Sequence, residues 1–321
     1  MIREYFRELG TNTLDGWNRF WFTPSDAATL GAIRMMTGGM LVYTHGVWGL
    51  KLTQFFGSDG VLPRELALGM HNQSPWAWSH LYQLQTPGLL WTVHLTAMLI
   101  LILFTLGCWT RVTSILSYLI TVSYAHRAVG ALFGLDQVNA FLAMYLAVGG
   151  SGDAYSVDAW IRGRREGRGL IRRTTSATIA QRLIQVHMCI VYLFAGLGKL
   201  QGQFWWDGTA LWGAFANFEY QTLDMTWVAS YPIIVNLLTQ VTLAWEIAYM
   251  AIVWPRMLRP IVIALSVPLH LGIALCMGMT TFGLIMIVGN LSFVSPELIR
   301  RIFGPQAVNG TNEPGRASGS P

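Results

Sequence analysis

The sequence predicts an all-α polytopic integral membrane protein, a bundle of about eight transmembrane helices with no soluble domain. Three observations carry this. Of the 321 residues, 53% are hydrophobic and 12% charged, roughly half the charge of an ordinary soluble domain. Apolar runs near the length of about 20 residues needed to cross a bilayer fall at 27–50, 88–107, 111–128, 136–150, 179–199, 233–254, 260–276 and 280–294. Arginine and lysine, finally, sit between those runs on alternate sides rather than evenly.

Taken in chain order, residues 1–26 read as a cytoplasmic or interfacial segment, because Trp17, Phe20, Trp21 and Phe22 gather beside Arg19. The following run is long enough to stay as an anchor rather than serve as a cleaved signal. Ser25 and Asp26, after Pro24, are candidate N-caps for the first helix. Residues 27–300 form the transmembrane domain. Residues 301–321, rich in Gly, Ser, Pro and Asn, read as a disordered cytoplasmic tail in which the sequon at Asn309 is a chance match. The segments at 51–87 and 200–232 are long and aromatic, which suits either a headgroup-level belt or a lid over a cavity.

Charge gives an orientation. Of 21 Lys and Arg residues, fifteen fall on the side that holds both termini, and only Lys51, Arg64, Arg127 and Lys199 on the other. Arg34 and Arg182 lie inside runs. By the positive-inside rule both termini are cytoplasmic, and a bacterial inner membrane is the expected location. The net charge of +5 is therefore a topology signal, not a nucleic-acid footprint. Cys108, Cys189 and Cys276 show no disulfide or metal-ligand spacing, so no metal is expected. Nucleotide loops and the hydrolase and zinc-protease motifs are likewise missing from the sequence.

Ionisable groups inside a span cost about 2.5–3.5 kcal/mol each, so each calls for a reason. With this orientation His45, His94, His126, Asp136, Asn139, Lys199 and His270 fall at one depth, toward the outer face, while Arg34 and Glu246 fall nearer the inner half. Each has a structural alternative. The histidines, His187 included, can serve as interhelical hydrogen-bond donors; Asp136 and Asn139 can cap a helix; Lys199 can snorkel to headgroups; Arg34 can pair with Glu246 or with helix C-terminal carbonyls. Lys199 is one of only two lysines, and an amine is a usable general base where a guanidinium is not.

The stretch Tyr192-Leu193-Phe194-Ala195-Gly196-Leu197-Gly198-Lys199-Leu200, with Trp205, Trp206 and Gly208 following, resembles the central motif of the vitamin K-dependent γ-glutamyl carboxylases and their bacterial relatives, the horizontally transferred transmembrane (HTTM) domain proteins. Trp17-Asn18-Arg19-Phe20-Trp21, Arg34 with Gly38, Ser156-Val157-Asp158, Pro268-Leu269-His270, Gly278-Met279, Phe282 and Ser295-Pro296-Glu297 are similar to further parts of that family. The resemblance implies that Lys199 is the base deprotonating a reduced quinone, vitamin K hydroquinone or menaquinol, as co-substrate. His270 becomes its candidate catalytic neighbour. Asp136, Asn139, His126 and His94, by their shared depth, and Trp205 and Trp206, beside the motif, are candidate pocket residues, and Arg34 and Glu246, by their position nearer the inner half, are taken as structural. Gly198-Lys199 stands where the carboxylases carry Lys-Lys, and Val138-Asn139 where they carry Asn-His. Only about 25 residues follow the last run, so the resemblance implies membrane chemistry without the propeptide-binding region, or with a partner protein supplying it. The other functions considered are a non-catalytic module binding lipid or a partner, and a small-solute transporter. The lack of an internal repeat weighs against the latter.

Overall fold

The computed structural model describes residues 2–58, 60–71, 74, 76–84, 86–166 and 171–304. It is all-α. The helices are α1 (Ile2–Phe22), α2 (Ala28–Gly49), α3 (Leu52–Phe56), α4 (Arg64–Met70), α5 (Pro87–Leu106), α6 (Thr110–Arg127), α7 (Gly134–Val148), α8 (Val157–Glu166), α9 (Thr175–Lys199), α10 (Gln203–Trp206), α11 (Ala210–Phe215), α12 (Pro232–Ile252), α13 (Arg259–Cys276), α14 (Thr280–Asn290) and α15 (Pro296–Phe303). Among the described residues the strand content is one two-residue antiparallel ladder, Ser25–Asp26 on Arg173–Thr174.

Each of the eight apolar runs is helical. Four of them, α5, α9, α12 and α13, are by length and composition able to cross a membrane. The other four fall short for visible reasons. In α2, Arg34, His45 and several glycines dilute the apolar character; α6 is rich in Ser and Thr; α7 and α14 have 15 and 11 residues.

One end of the bundle is locked by polar contacts that join distant segments. Arg34, fully buried, donates to the carbonyls of Ser151 at 2.7 Å and Tyr155 at 2.5 Å, in the turn after α7. Arg34 thus takes neither expected partner: its acceptors are turn carbonyls beyond the end of α7 rather than helix C-terminal ones, and it does not pair with Glu246. Asp158 accepts from the amides of Trp109 and Thr110 at 2.9 and 2.7 Å, capping α6 from a different part of the chain. Gly107 makes this approach feasible: its φ is +74°, and a Cβ there would lie 2.4 Å from the Ser156 Cβ. The Ser156-Val157-Asp158 stretch is thus a structural clasp.

Asp26 closes the same end. Its carboxylate accepts from the Ala28 amide at 2.9 Å and takes a bidentate pair of 2.7 Å bonds from Arg300 on α15. Those bonds hold the Arg300 guanidinium above its usual range. The N-cap of α2 is Ala27, so neither expected residue takes that position: Asp26 holds the first helical amide from one residue earlier, and Ser25 is occupied in the ladder. Helix α15 continues to Phe303, three residues into the segment expected to be a disordered tail. The rest of that tail, with Asn309 and Arg316, lies outside the described residues, as does Arg168. Helix α1 has no buried residue and presents Trp17 and Phe22 outward, as suits an interfacial helix.

Replacing Arg300 with Met removes two charge-assisted bonds while keeping the aliphatic stem. The expected result is a loss of about 2 kcal/mol, read as a lower midpoint of tryptophan-monitored thermal unfolding in detergent. An unchanged midpoint would show that α15 does not hold the start of α2.

A candidate acid–base site at a lateral cavity

The site starts from the way α9 meets α12. Tyr192, Gly196 and Lys199 recur at helical spacing on one face of α9. Gly196 lets that face come close: a Cβ there would stand 2.7 Å from the Ile247 side chain and 3.4 Å from the Glu246 Cβ. At this crossing Lys199 Nζ donates to both carboxylate oxygens of Glu246, at 2.8 and 2.7 Å. The Lys199 side chain is 27% exposed and that of Glu246 8%. The Trp205 ring lies 5.3 Å from Nζ and adds a cation–π contact.

The depth of Glu246 corrects the expectation from sequence, which placed it in the other half of the bundle. From the Gly196 crossing, α12 continues for 14 residues, roughly 20 Å, toward residue 232, whereas α9 ends three residues on. The chain after Lys199 folds back beside α12 to fill that space. Backbone groups left free at the ends of α10 and α11 and in the turn between them are satisfied by polar side chains of an otherwise apolar helix. Gln240 donates to the Trp205 carbonyl at 3.0 Å, Asn236 to the Asp207 carbonyl at 3.4 Å, and the Leu211 amide donates to Thr239 Oγ1 at 3.3 Å. Gly208, at φ +72°, sits so close to Asn236 that no side chain fits. Within residues 200–232, α10 and α11 contribute Trp205, Leu211, Ala214 and Phe215 to the cover of a cavity and so form a lid over it.

Under this lid is a cavity of about 510 Å³. Lys199 and Glu246 form its polar end, and Trp205, Phe215, Trp245, Leu269, Ile273 and Phe282 are among its apolar walls. Behind it runs a buried hydrogen-bond chain. Tyr249 donates to Asn290 Oδ1 at 2.6 Å, Asn290 Nδ2 to Tyr192 Oη at 2.6 Å, and His270 Nδ1 lies 3.0 Å from the Ser266 carbonyl. With the His270 proton on Nδ1, Nε2 accepts from Tyr192 at 3.2 Å. Tyr192 edges onto the Trp245 ring, the residue before Glu246. His270 therefore supports the cavity wall through Tyr192 and does not line the cavity.

The remaining expected site residues are elsewhere. His94 bonds Tyr124 Oη at 2.9 Å, and His45 packs on the same ring at a 4.7 Å centroid distance. Its Nδ1 faces the Leu41 carbonyl. His126 anchors the aromatic segment through the Trp78 backbone, at 2.9 Å to the carbonyl, and Tyr82 Oη donates to the His126 carbonyl at 2.9 Å. His80, in that segment, has its imidazole pushed down by burial. Asp136 caps the start of α7 through the Phe133 amide at 3.1 Å. Asn139 is buried with Oδ1 unpartnered, and Trp206 is exposed, its indole on the Leu200 carbonyl. The seven groups expected at one depth thus do not converge. His45, His94 and His126 belong with α2, α5 and α6; Lys199 and His270 belong with α9 and α13.

Sequence reasoning missed Tyr192, Asn290 and Tyr249 as members of the site. Signals for them existed. Tyr192 lies two turns before Lys199, Tyr249 one turn after Glu246, and Asn290 is an amide in an apolar run.

The fold and site define an all-α, membrane-compatible protein with a lysine–glutamate pair at the polar end of an apolar cavity. No family model matches the chain, and no curated protein or solved structure matches it either.

Removing one partner strands the other charge. Glu246→Leu is expected to destabilise by about 2 kcal/mol, between the values for exposed and fully buried pairs. The double replacement Lys199→Met/Glu246→Leu is expected to recover most of that loss. A double variant less stable than the single one, by the same thermal unfolding measurement, would contradict the pairing.

Proposed function

We propose that the chain is an eight-span integral membrane enzyme of the HTTM and γ-carboxylase type, with Lys199 and Glu246 acting as one acid–base unit on a reduced quinone. The observation that carries this reading is the 2.7 Å Lys199–Glu246 pair at the end of an apolar cavity. A flat apolar ring bearing a hydroxyl group matches both the walls and the polar end.

Lys199 Nζ, hydrogen-bonded to both Glu246 oxygens, first passes one proton to that carboxylate and so becomes an amine. It takes the hydroxyl proton of the substrate, becomes an ammonium again, and stays against the oxygen that lost the proton. Glu246 holds Nζ in place; Trp205 covers it. His270 keeps Tyr192 oriented behind Trp245 and is a positioning residue rather than a proton carrier. The resemblance implies that oxygen then reacts with the deprotonated substrate. Both termini lie in the cytoplasm on this reading, and the cavity lies toward the outer face of a bacterial inner membrane.

The test is oxygen uptake by the reconstituted chain with vitamin K hydroquinone or menaquinol, with and without Glu-containing peptide and bicarbonate. Wild-type protein should consume oxygen, and Lys199→Ala should lower the rate roughly 100-fold or more. Equal rates would remove Lys199 from the chemistry. No uptake by wild type with either quinol would favour the non-catalytic module.

A further inference from the structure

The cavity has its mouth on the side of the bundle. Helices α12 and α13 are consecutive in the chain, yet they diverge: α12 packs along α9 and α13 along α14, where a Cβ on Gly283 would sit 2.4 Å from the His270 carbonyl. The gap between α12 and α13 is the cavity. Its outermost lining residues are Leu238 and Val241 from α12 and Leu265 from α13, all aliphatic and 41–51% exposed. All three lie well within their helices rather than at the ends, and both helices are long and apolar enough to cross a membrane. Pro268, which also lines the cavity, removes one backbone hydrogen bond of α13 at this level. Toward the helix ends the cavity is roofed by α11 and by Met277 and Met279.

Lining character changes along the cavity. Exposed aliphatic residues form the mouth, half-buried Thr242, Leu269 and Gly272 the middle, and the Lys199–Glu246 pair the end. A water-soluble ion approaching this mouth would first have to leave water for hydrocarbon. An amphiphile already dissolved in the bilayer would not, and would arrive with its body in the aliphatic mouth and its polar head at the pair.

We propose that the cavity is loaded sideways from the bilayer, through the gap between α12 and α13, by a membrane-dissolved amphiphile whose hydroxyl or acid head meets Lys199 and Glu246. This deepens the functional reading above and rests on the same pair. It excludes direct loading from water through the lid. Gly272 offers a plug: a Cβ there meets nothing within 4 Å, so a large side chain fills the passage without displacing backbone.

The experiment measures access and needs no turnover. Thr242→Cys is placed in the full chain, reconstituted in proteoliposomes, and labelling above the parent protein is compared for two thiol reagents. One is a long-chain maleimide dissolved in the bilayer; the other is a charged sulfonate reagent confined to water. Asp224→Cys, in the exposed loop before α12, checks that the aqueous reagent is active. The membrane reagent should label Thr242→Cys roughly tenfold faster or more, since a charge pays at least 1.4 kcal/mol to enter hydrocarbon. Adding Gly272→Trp should cut that rate about tenfold, as expected when a side chain occludes the passage. Faster labelling from water, no labelling by either reagent, or indifference to Gly272→Trp would each overturn the proposal. Lateral labelling without oxygen uptake would keep the portal and reject the chemistry; uptake without lateral labelling would do the reverse.

Discussion

The crossing of α9 and α12 is the constraint from which the site follows. A buried charge without a partner is costly, and the Glu246 side chain, 8% exposed, has its partner in Lys199. The pair requires the two helices to come within the reach of one lysine side chain. Gly196 allows that approach, and the ring of Tyr192 two turns earlier fills the wider space beside Trp245 and Tyr249. The pair is part of how the bundle is assembled as well as the polar end of its cavity.

Ending α9 at Lys199 creates the second feature. Because α12 continues beyond that point, space opens beside it, and the chain fills that space with two short helices and irregular backbone. Backbone groups left free at the ends of such short helices need partners when they are taken from water. Asn236, Thr239 and Gln240 supply them. These polar residues in an apolar helix therefore have a structural purpose, and the lid they hold leaves the gap between α12 and α13 as the open side of the cavity.

Two of the polar groupings among the described residues differ in kind. The one around Tyr124 is an aromatic and imidazole core in which His45, His94, Trp48 and Phe56 pack on one ring. Among the described residues it contains no charge pair. The one at Lys199 joins opposite charges to an apolar hollow. Proton transfer needs a group that can change its charge next to a place where a substrate fits, and only the second grouping combines the two.

The all-α architecture was legible in the sequence because hydropathy acts over whole segments: the eight runs emerged as helices nearly at their expected bounds. Lys199 was legible too, since a rare amine at the end of an apolar run is conspicuous. Its partner was not. Glu246 is 47 residues away, and depth counted along each helix assumes that helices begin and end at common planes, which α9 does not. The same assumption grouped His94, His126 and Asp136 with Lys199, although depth says nothing about rotation or lateral position in the bundle. Residue pattern alone determined which segments are helical and which residues are costly enough to need partners; the tertiary structure decided which partners they found, because helix length, crossing point and facing are set by packing between segments distant in the chain.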